Sequence, residues 1–460
     1  MTITPADLRV AIVGSGPSGF YAAEALQKAA AGLRIDLFDR LPTPYGLVRG
    51  GVAPDHPKIK SVTRVFDRIA SQPGFRFFGH VVVGEDISIA ELREHYDAVV
   101  LAYGAQTDRH LGIPGEQLAG SHAATELVGW YNGHPDFVDR RFDLSQRAAA
   151  VIGLGNVAMD VTRILAKSPD ALATTDLAAD ALAALRDSRL DTIHIIGRRG
   201  PVQAACTTPE LRELGELEGV DVIVDPRDLE LDPISAAHLA GVEDRTAEKN
   251  LELLRHWAGR GSTGASRRIV FHFNASPVEL TGDHHVTGVR LVRNRLEHDG
   301  HGDVRAVPTE VQHTVPVGLV FRSVGYRGVE LAGVPFDPTR GIIPNSSGRV
   351  VESPDSATAI RGLYVCGWIK RGPQGVIGTN KSDAAETIDH LVADAATGRL
   401  GDGGRSTALV DERLAERGVR VTDWSDWQQL DREEQARGAP AGRPREKVTL
   451  VAEMLEILGK

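Results

Sequence analysis

The sequence predicts an α/β chain with two Rossmann-like dinucleotide-binding domains, and three observations lead there. Two segments, "RVAIVGSGPSGFYAAEAL" near the start and "AAAVIGLGNVAMDVTRIL" from Ala148, each pass from a short apolar strand through a glycine turn into a helix. The next strand of each unit ends in a different chemistry, Asp39 in the first and Arg198 with Arg199 in the second. The chain has 460 residues, enough for two such units and their connections.

Composition narrows the class. The 42% hydrophobic content is that of an ordinary globular protein. No apolar run approaches the length needed to cross a bilayer. The opening "MTITPADLRV" lacks a basic segment followed by an apolar one, so we expect neither a secretory leader nor a transit peptide, and a cytoplasmic location. The two cysteines, Cys206 and Cys366, form no C-x-x-C, which argues against a disulfide framework, a structural zinc site, a protein-bound cluster and a dithiol redox pair. No metal site is expected. The net charge of -10 argues against nucleic acid as a partner of the whole surface.

In the first unit "RVAIVG" is a buried parallel strand, "GSGPSG" spans Gly14 to Gly19, and "FYAAEALQKAA" is the helix. Gly14 permits the tight turn, Gly16 lets the backbone approach a pyrophosphate, and Gly19 lets helix pack on strand. The helix N-terminus presents oriented N–H groups to phosphates. Asp39, ending "RIDLFD", sits where an acid receives ribose hydroxyls.

The second unit repeats the plan with "AAAVIG" and "GLGNVA", Ala158 standing where the third glycine would be. After a helical Ala/Leu/Asp-rich stretch, "TIHIIGRRG" ends in Arg198 and Arg199. Guanidinium forks suit a phosphate monoester, so this site should prefer NADP(H). One cradle then holds FAD and the other NADPH, and a hydride passes between two bound cofactors.

Further segments close the circuit. "YDAVVLAYGA" and "VGLVFRSVGYRG" read as strands connecting the two units, and "LYVCGW" as a strand entering a glycine turn. "GPQGVIG" then opens a helix whose N-terminus would favour negative charge on a flavin. We therefore expect a discontinuous FAD-binding domain, 1–106 and 325–460, with an NADPH-binding domain, 107–324, between its parts.

Several blocks are far more specific than a glycine fingerprint: "TPYGLVRGGVAPDHPKIK", "IPGE", "VGWYNGHPD", "GRRGPVQAA", "WIKRGPQGVIGTNK" and "GRPREKV". On these the chain resembles the adrenodoxin reductase family of NADPH–ferredoxin reductases, including its actinobacterial members, and the resemblance runs nearly from end to end. It implies a two-dinucleotide-binding flavoprotein of glutathione-reductase-like fold. FAD would meet Gly14, Gly16, Ser18, Asp39, Leu47, the backbone of Val82 or Val83, Trp368, Gly375, Val376 and Ile377. NADPH would meet Gly155, Asn156, Val157, Arg198, Arg199 and Glu210, with Gly375 touching both. Tyr45 departs from the tryptophan common in relatives. His56 and Glu213 are the ionisable groups placed near flavin and nicotinamide, and His56 is a candidate proton relay.

Two residues carry a second, plainer reading. Thr207 and Glu210 have capping-box spacing, with Pro209 in the first turn, so Glu210 could cap a helix instead of, or as well as, touching a cofactor. His56, beside Pro57, could simply fix a turn.

The resemblance implies a [2Fe–2S] or similar ferredoxin as acceptor, and an acidic partner needs a basic docking face. Lys60, Arg64 and Arg68 share helical spacing, Arg212 lies near the NADPH arginines, and Lys370 and Arg371 lie near the flavin segment; for the first three a merely solvated face is the plainer reading. The tail opens on a linker-like "GDGG" and closes on a helix with apolar Val448, Val451, Met454, Leu455 and Leu458. The function expected is that of a reductase passing electrons from NADPH through flavin to ferredoxin, supplying haem-thiolate monooxygenases, in a monomer or weak dimer. A quinone-reducing diaphorase and a nucleotide-binding redox sensor are the alternatives.

Overall fold

The computed structural model describes residues 8–30, 32–300, 303–356, 358–400 and 407–460. The "GDGG" stretch and the first seven residues lie outside them.

A seven-stranded sheet carries the first cradle. Its order is Asn345–Ser346, Arg349–Val351, Ala359–Val365, Ala98–Leu101, Arg9–Val13, Arg34–Phe38 and Phe75–Phe78. The five strands from Ala359–Val365 to Phe75–Phe78 run parallel, with Val10 opposite both Ile35 and Ala98. Val10, Ala11 and Ile12 are wholly buried, as expected of a strand covered on both faces. The helix Pro17–Ala29 lies over it, with Pro17 in the first turn, where the missing N–H costs nothing. It packs on the long helix Thr379–Ala396, so the sequence's two ends share one core.

A six-stranded parallel sheet carries the second cradle, in the order Ser121–Ala123, Leu319–Arg322, Ala148–Ile152, Thr192–Ile196, Arg267–His272 and Val220–Val224. Against it packs an antiparallel sheet of Ala275–Thr281, Gly288–His298 and Val304–Val315, joined by Leu280, Val289, Leu291 and Val315. The two strand units meet through a small ribbon in which Thr107–Asp108 pairs with Tyr326–Arg327.

The tail supplies the helices Ala408–Glu416, Trp424–Gly438 and Val451–Ile457. Trp427 meets the Tyr45 ring edge-on at 5.4 Å and donates its indole N–H to Tyr45 Oη at 3.1 Å. Val448, Met454 and Leu455 are buried, Val448 ahead of the helix rather than on it. Between these helices Arg443 donates to the Thr175 carbonyl at 3.1 Å, and Lys447 pairs with Asp176 at 3.2 Å. The tail thus straps the first unit to the second.

Candidate functional site

At the first cradle Gly14 holds φ +108°, and a Cβ there would lie 2.6 Å from the Ala102 carbonyl oxygen. A Cβ on Gly19 would lie 2.0 Å from the Gly14 oxygen, the close helix–strand approach the motif demands. Around Gly16, by contrast, only Gly46 Cα comes within reach, at 4.0 Å. Asp39 closes the turn, its Oδ2 accepting the Ser15 amide at 3.0 Å and Oδ1 the Leu41 amide at 2.9 Å. Burial raises its pKa, and these bonds only partly offset that.

Other residues converge from far along the chain. Ser18 Oγ donates to Asn380 Oδ1 at 3.1 Å. Trp368 stands beside Tyr326, ring centroids 5.4 Å apart, and its Nε1 is buried with no partner among the described residues. Leu47 and Val376 are exposed apolar side chains, and Gly375 is exposed while Ile377 is half-buried. An open glycine cradle, an unpaired buried donor and uncovered apolar groups fit a flavin dinucleotide. Val82 donates its amide to Asp86 Oδ2 at 2.7 Å and gives its carbonyl to the amides of Glu85 and Asp86. These bonds engage the Val82 backbone within its own turn.

The second cradle has the same build. A Cβ on Gly153 would lie 2.2 Å from the Ser323 oxygen, whereas nothing lies within 4 Å of one on Gly155. Ala158 is fully buried at the third position. Asn156 Oδ1 accepts the Thr207 amide at 2.8 Å, tying this turn to the helix Thr208–Gly215, while the neighbouring Val157 is half-buried. Arg198 is exposed and Arg199 half-buried, both lining an open pocket, and neither forms an ion pair among the described residues. Burial, then repulsion from Arg198, lowers the Arg199 pKa. Unpaired guanidiniums beside an open turn fit a phosphorylated nucleotide.

Between the cradles lies a charged cluster. His56 Nε2 and Glu213 Oε2 are 2.8 Å apart, with Glu210 at 3.8 Å and Asp160 at 3.9 Å from the ring. Arg163, its side chain only 2% exposed, organises the group. Its Nε and Nη2 grip Asp55 at 3.0 Å each, Nη2 also reaches Asp160 at 2.7 Å, and Nη1 lies 3.2 Å from both Glu210 and Glu213. Burial, then the Asp160 charge, pushes Glu210 up to about 7. The oxygen and nitrogen atoms of His56, Glu210 and Glu213 lie within 4.8 Å of one another, close enough to ligate a cation, but Arg163 already supplies positive charge there.

Several expectations need correction. Thr207 caps its helix without a side-chain hydrogen bond, so Glu210 is not the partner in a capping box; it faces Arg163 and His56 because it lies on the inward face of that helix. Lys60, Arg64 and Arg68 do not form one helical stripe. The helices Pro57–Lys60 and Thr63–Ala70 are separate, and Lys60 turns inward to Asp176 at 2.7 Å. Lys370 is buried against Asp383 at 3.1 Å and Glu386 at 2.6 Å, so it offers nothing to a partner. Arg371 donates to Asn380 at 2.8 Å. Arg64, Arg68 and Arg212 remain exposed.

Arg163, Asp55 and Asp160 were missed because each is an unremarkable helix or loop residue in sequence. The only signal was Asp160 and Arg163 at i, i+3 directly after the second glycine turn.

Comparison with known proteins agrees with this geometry. Residues 8–213 match the pyridine nucleotide-disulphide oxidoreductase family. The NADPH-ferredoxin reductase FprA of Mycobacterium leprae is 50% identical over 455 residues, covering 97% of this chain and 98% of that one. The mitochondrial NADPH:adrenodoxin oxidoreductase of Arabidopsis thaliana is 41% identical, covering 97% and 95%. The solved structure of Mycobacterium tuberculosis FprA in complex with NADPH superposes with a TM-score of 0.92 at 49% identity, covering 98% of this chain and 99% of that one. With two glycine cradles of opposite terminal chemistry and relatives of this closeness over nearly its full length, the chain belongs to the NADPH–ferredoxin reductase family that includes the adrenodoxin reductases.

Proposed function

We propose that this protein is an FAD-containing oxidoreductase that takes a hydride from NADPH and delivers electrons one at a time to a small ferredoxin. The contrast between the two cradles carries the reading: an acid closes one, and unpaired arginines border the other. FAD, when bound, supplies the bridge between two-electron and one-electron chemistry. The chain's own part is to bind and orient. Gly14, Gly16, Ser18, Asp39, Leu47, Val83, Trp368, Gly375, Val376 and Ile377 would hold FAD; Gly155, Asn156, Val157, Arg198 and Arg199 would hold NADPH. Hydride transfer between stacked rings depends on orientation more than on acid–base catalysis. His56 and Glu213 would manage the accompanying proton, held at His56 Nε2 against Glu213 Oε2. Glu210, 3.8 Å from His56, borders this pair and would meet NADPH there.

We divide the chain by function into 1–106 with 325–460 for FAD and 107–324 for NADPH, a reading supported by the strands of the two large sheets falling on opposite sides of that division. We assign the acceptor as a [2Fe–2S] or similar ferredoxin supplying haem-thiolate monooxygenases, the location as bacterial cytoplasm, and the assembly as a monomer or weak dimer. No helix among the described residues is long and apolar enough to cross a membrane.

The test is NADPH-driven reduction of cytochrome c with and without an added [2Fe–2S] ferredoxin, with NADH controls. A large ferredoxin-dependent rate is expected. A rate indifferent to several ferredoxins would mark a diaphorase, and no turnover of any acceptor would mark a sensor.

A further inference from the structure

The pocket beside Arg198 and Arg199 has a third cation that comes from a different sheet. Arg305 lines it together with Ser276, Asp299, Val304 and Ala306. Arg305 belongs to the strand Val304–Val315 of the antiparallel sheet, where its cross-strand neighbour is Glu297. An ion pair across the hairpin would be the ordinary fate of such a residue. Instead Glu297 accepts Arg295 Nε at 2.7 Å, and Arg305 has no ion pair among the described residues. Asp299 lines the same opening, and its Oδ1 accepts the Asp303 amide at 2.9 Å.

The sheet is held in this position by one side chain and one main-chain N–H that bond the arginine turn itself. Asn294 Nδ2 donates to the Arg198 carbonyl at 2.7 Å and to Ser276 Oγ at 2.8 Å, and the Asn274 amide donates to the Arg199 carbonyl at 3.0 Å. Three guanidiniums therefore border one opening, none of them in an ion pair with a described residue, with the Asp303 charge as the nearby offset on Arg199. Such an arrangement is unfavourable by itself and becomes favourable when a dianion enters. A phosphate monoester, with three acceptor oxygens and close to two negative charges at neutral pH, is the ligand chemistry that satisfies three forks at once.

We propose that Arg305 is a specificity-determining residue that closes the far side of the 2′-phosphate site, so that Arg198 and Arg199 hold the phosphate from the turn and Arg305 from the overhanging hairpin. This rests on the NADPH reading of the second cradle. Discrimination between NADPH and NADH is then shared between two sheets.

The test is equilibrium binding of two small probes to the holoenzyme, 2′-AMP and 5′-AMP, measured calorimetrically for wild type, Arg305→Ala, Arg305→Lys and the double variant Arg198→Ala/Arg199→Ala. Arg305→Ala should weaken 2′-AMP about tenfold, which is about 1.4 kcal/mol, and leave 5′-AMP within about twofold; a tenfold loss is of the size expected for one exposed charge-assisted contact. Arg305→Lys should recover part of the loss, because an ammonium keeps the charge but not the fork. The double variant should lose more. If the double variant loses 2′-AMP while Arg305→Ala does not, this inference is wrong and the cofactor reading stands. If neither variant affects 2′-AMP, the cofactor reading of this pocket fails and takes the inference with it. Equal losses for both probes on Arg305→Ala would also overturn it, by showing a general rather than a phosphate-position effect.

Discussion

Glu210 stands in the charged cluster between the cradles with its side chain only 12% exposed. Its spacing from Thr207 suggested a cap, but the inward face of its helix brings it 3.2 Å from Arg163 and 3.8 Å from His56. Burial and the neighbouring Asp160 hold it protonated up to about 7, far above the ordinary glutamate value of 4.5. A group whose folded pKa is raised in this way binds its proton more tightly when folded. Its contribution is therefore lost as pH climbs from the unfolded value through the folded one. Glu210→Gln should gain stability relative to the wild type as pH rises from about 4.5 to about 7, and the difference should be flat above that. Urea midpoints for both proteins across this window test it; parallel curves would show that Glu210 ionises freely. The two arginines of "GRRG" were legible in sequence, because the motif places them. Arg305 was not, since it arrives from a hairpin more than a hundred residues later.

The helix Asn156–Ala166 does two jobs. Its N-terminus forms the second cradle, and one turn on it presents Asp160 and Arg163 to the boundary between units. Asp55, in the loop ahead of His56, receives Arg163 twice and Lys167 once, at 2.9 Å. Burial opposes ionisation of Asp55, but the Arg163 hydrogen bonds and charge overcome it and hold the carboxyl well below the usual range. Removing this charge leaves a nearly buried guanidinium short of its main partner. Asp55→Asn should destabilise by about 3 kcal/mol, the cost typical of breaking a buried pair from one side. Chemical denaturation measures this, and a loss under about 1 kcal/mol would mean that Asp160 and the glutamates suffice. At the same scale, the antiparallel sheet of Ala275–Thr281, Gly288–His298 and Val304–Val315 was not anticipated. Nothing in its sequence resembles a cofactor motif, and its role follows from where it packs.

Across the whole molecule, the tail and the first unit close on the second through buried charges. Lys60 and Lys447 flank Asp176 at 2.7 and 3.2 Å, and burial lowers the pKa of both lysines. Glu434, also buried, accepts Arg49 Nη1 at 2.9 Å and Arg445 Nη1 at 3.0 Å. Asp176→Asn would leave two buried lysine amines without the carboxylate they share, and we expect a loss of about 3 kcal/mol at pH 7. Lysines with lowered pKa shed their charge as pH rises, so the loss should be smaller at pH 10; an equal loss at both would point to packing rather than charge. Docking belongs to this scale too. With a net charge of -10, only local patches can attract an acidic ferredoxin, and the exposed candidates are Arg64, Arg68 and Arg212. The apparent affinity for ferredoxin should fall several-fold between about 50 and 200 mM salt, because exposed charges are screened. A Michaelis constant for ferredoxin indifferent to salt would place docking elsewhere.

The local chemistry is legible in short stretches of chain: two strand–glycine–helix cradles, the acid and the arginines that end them, and a family resemblance carried by blocks running its length. These are properties of short segments, where strand, turn and helix preferences act within some thirty residues. Folding settles the roles that depend on distant neighbours. It turned Lys60 and Lys370 inward to carboxylates, took Glu210 from a cap to a charged cluster, and bent a hairpin until Arg305 lined the arginine pocket. The physical reason is that a charge's role is set by what surrounds it after burial, and burial brings together residues whose separation along the chain carries no signal.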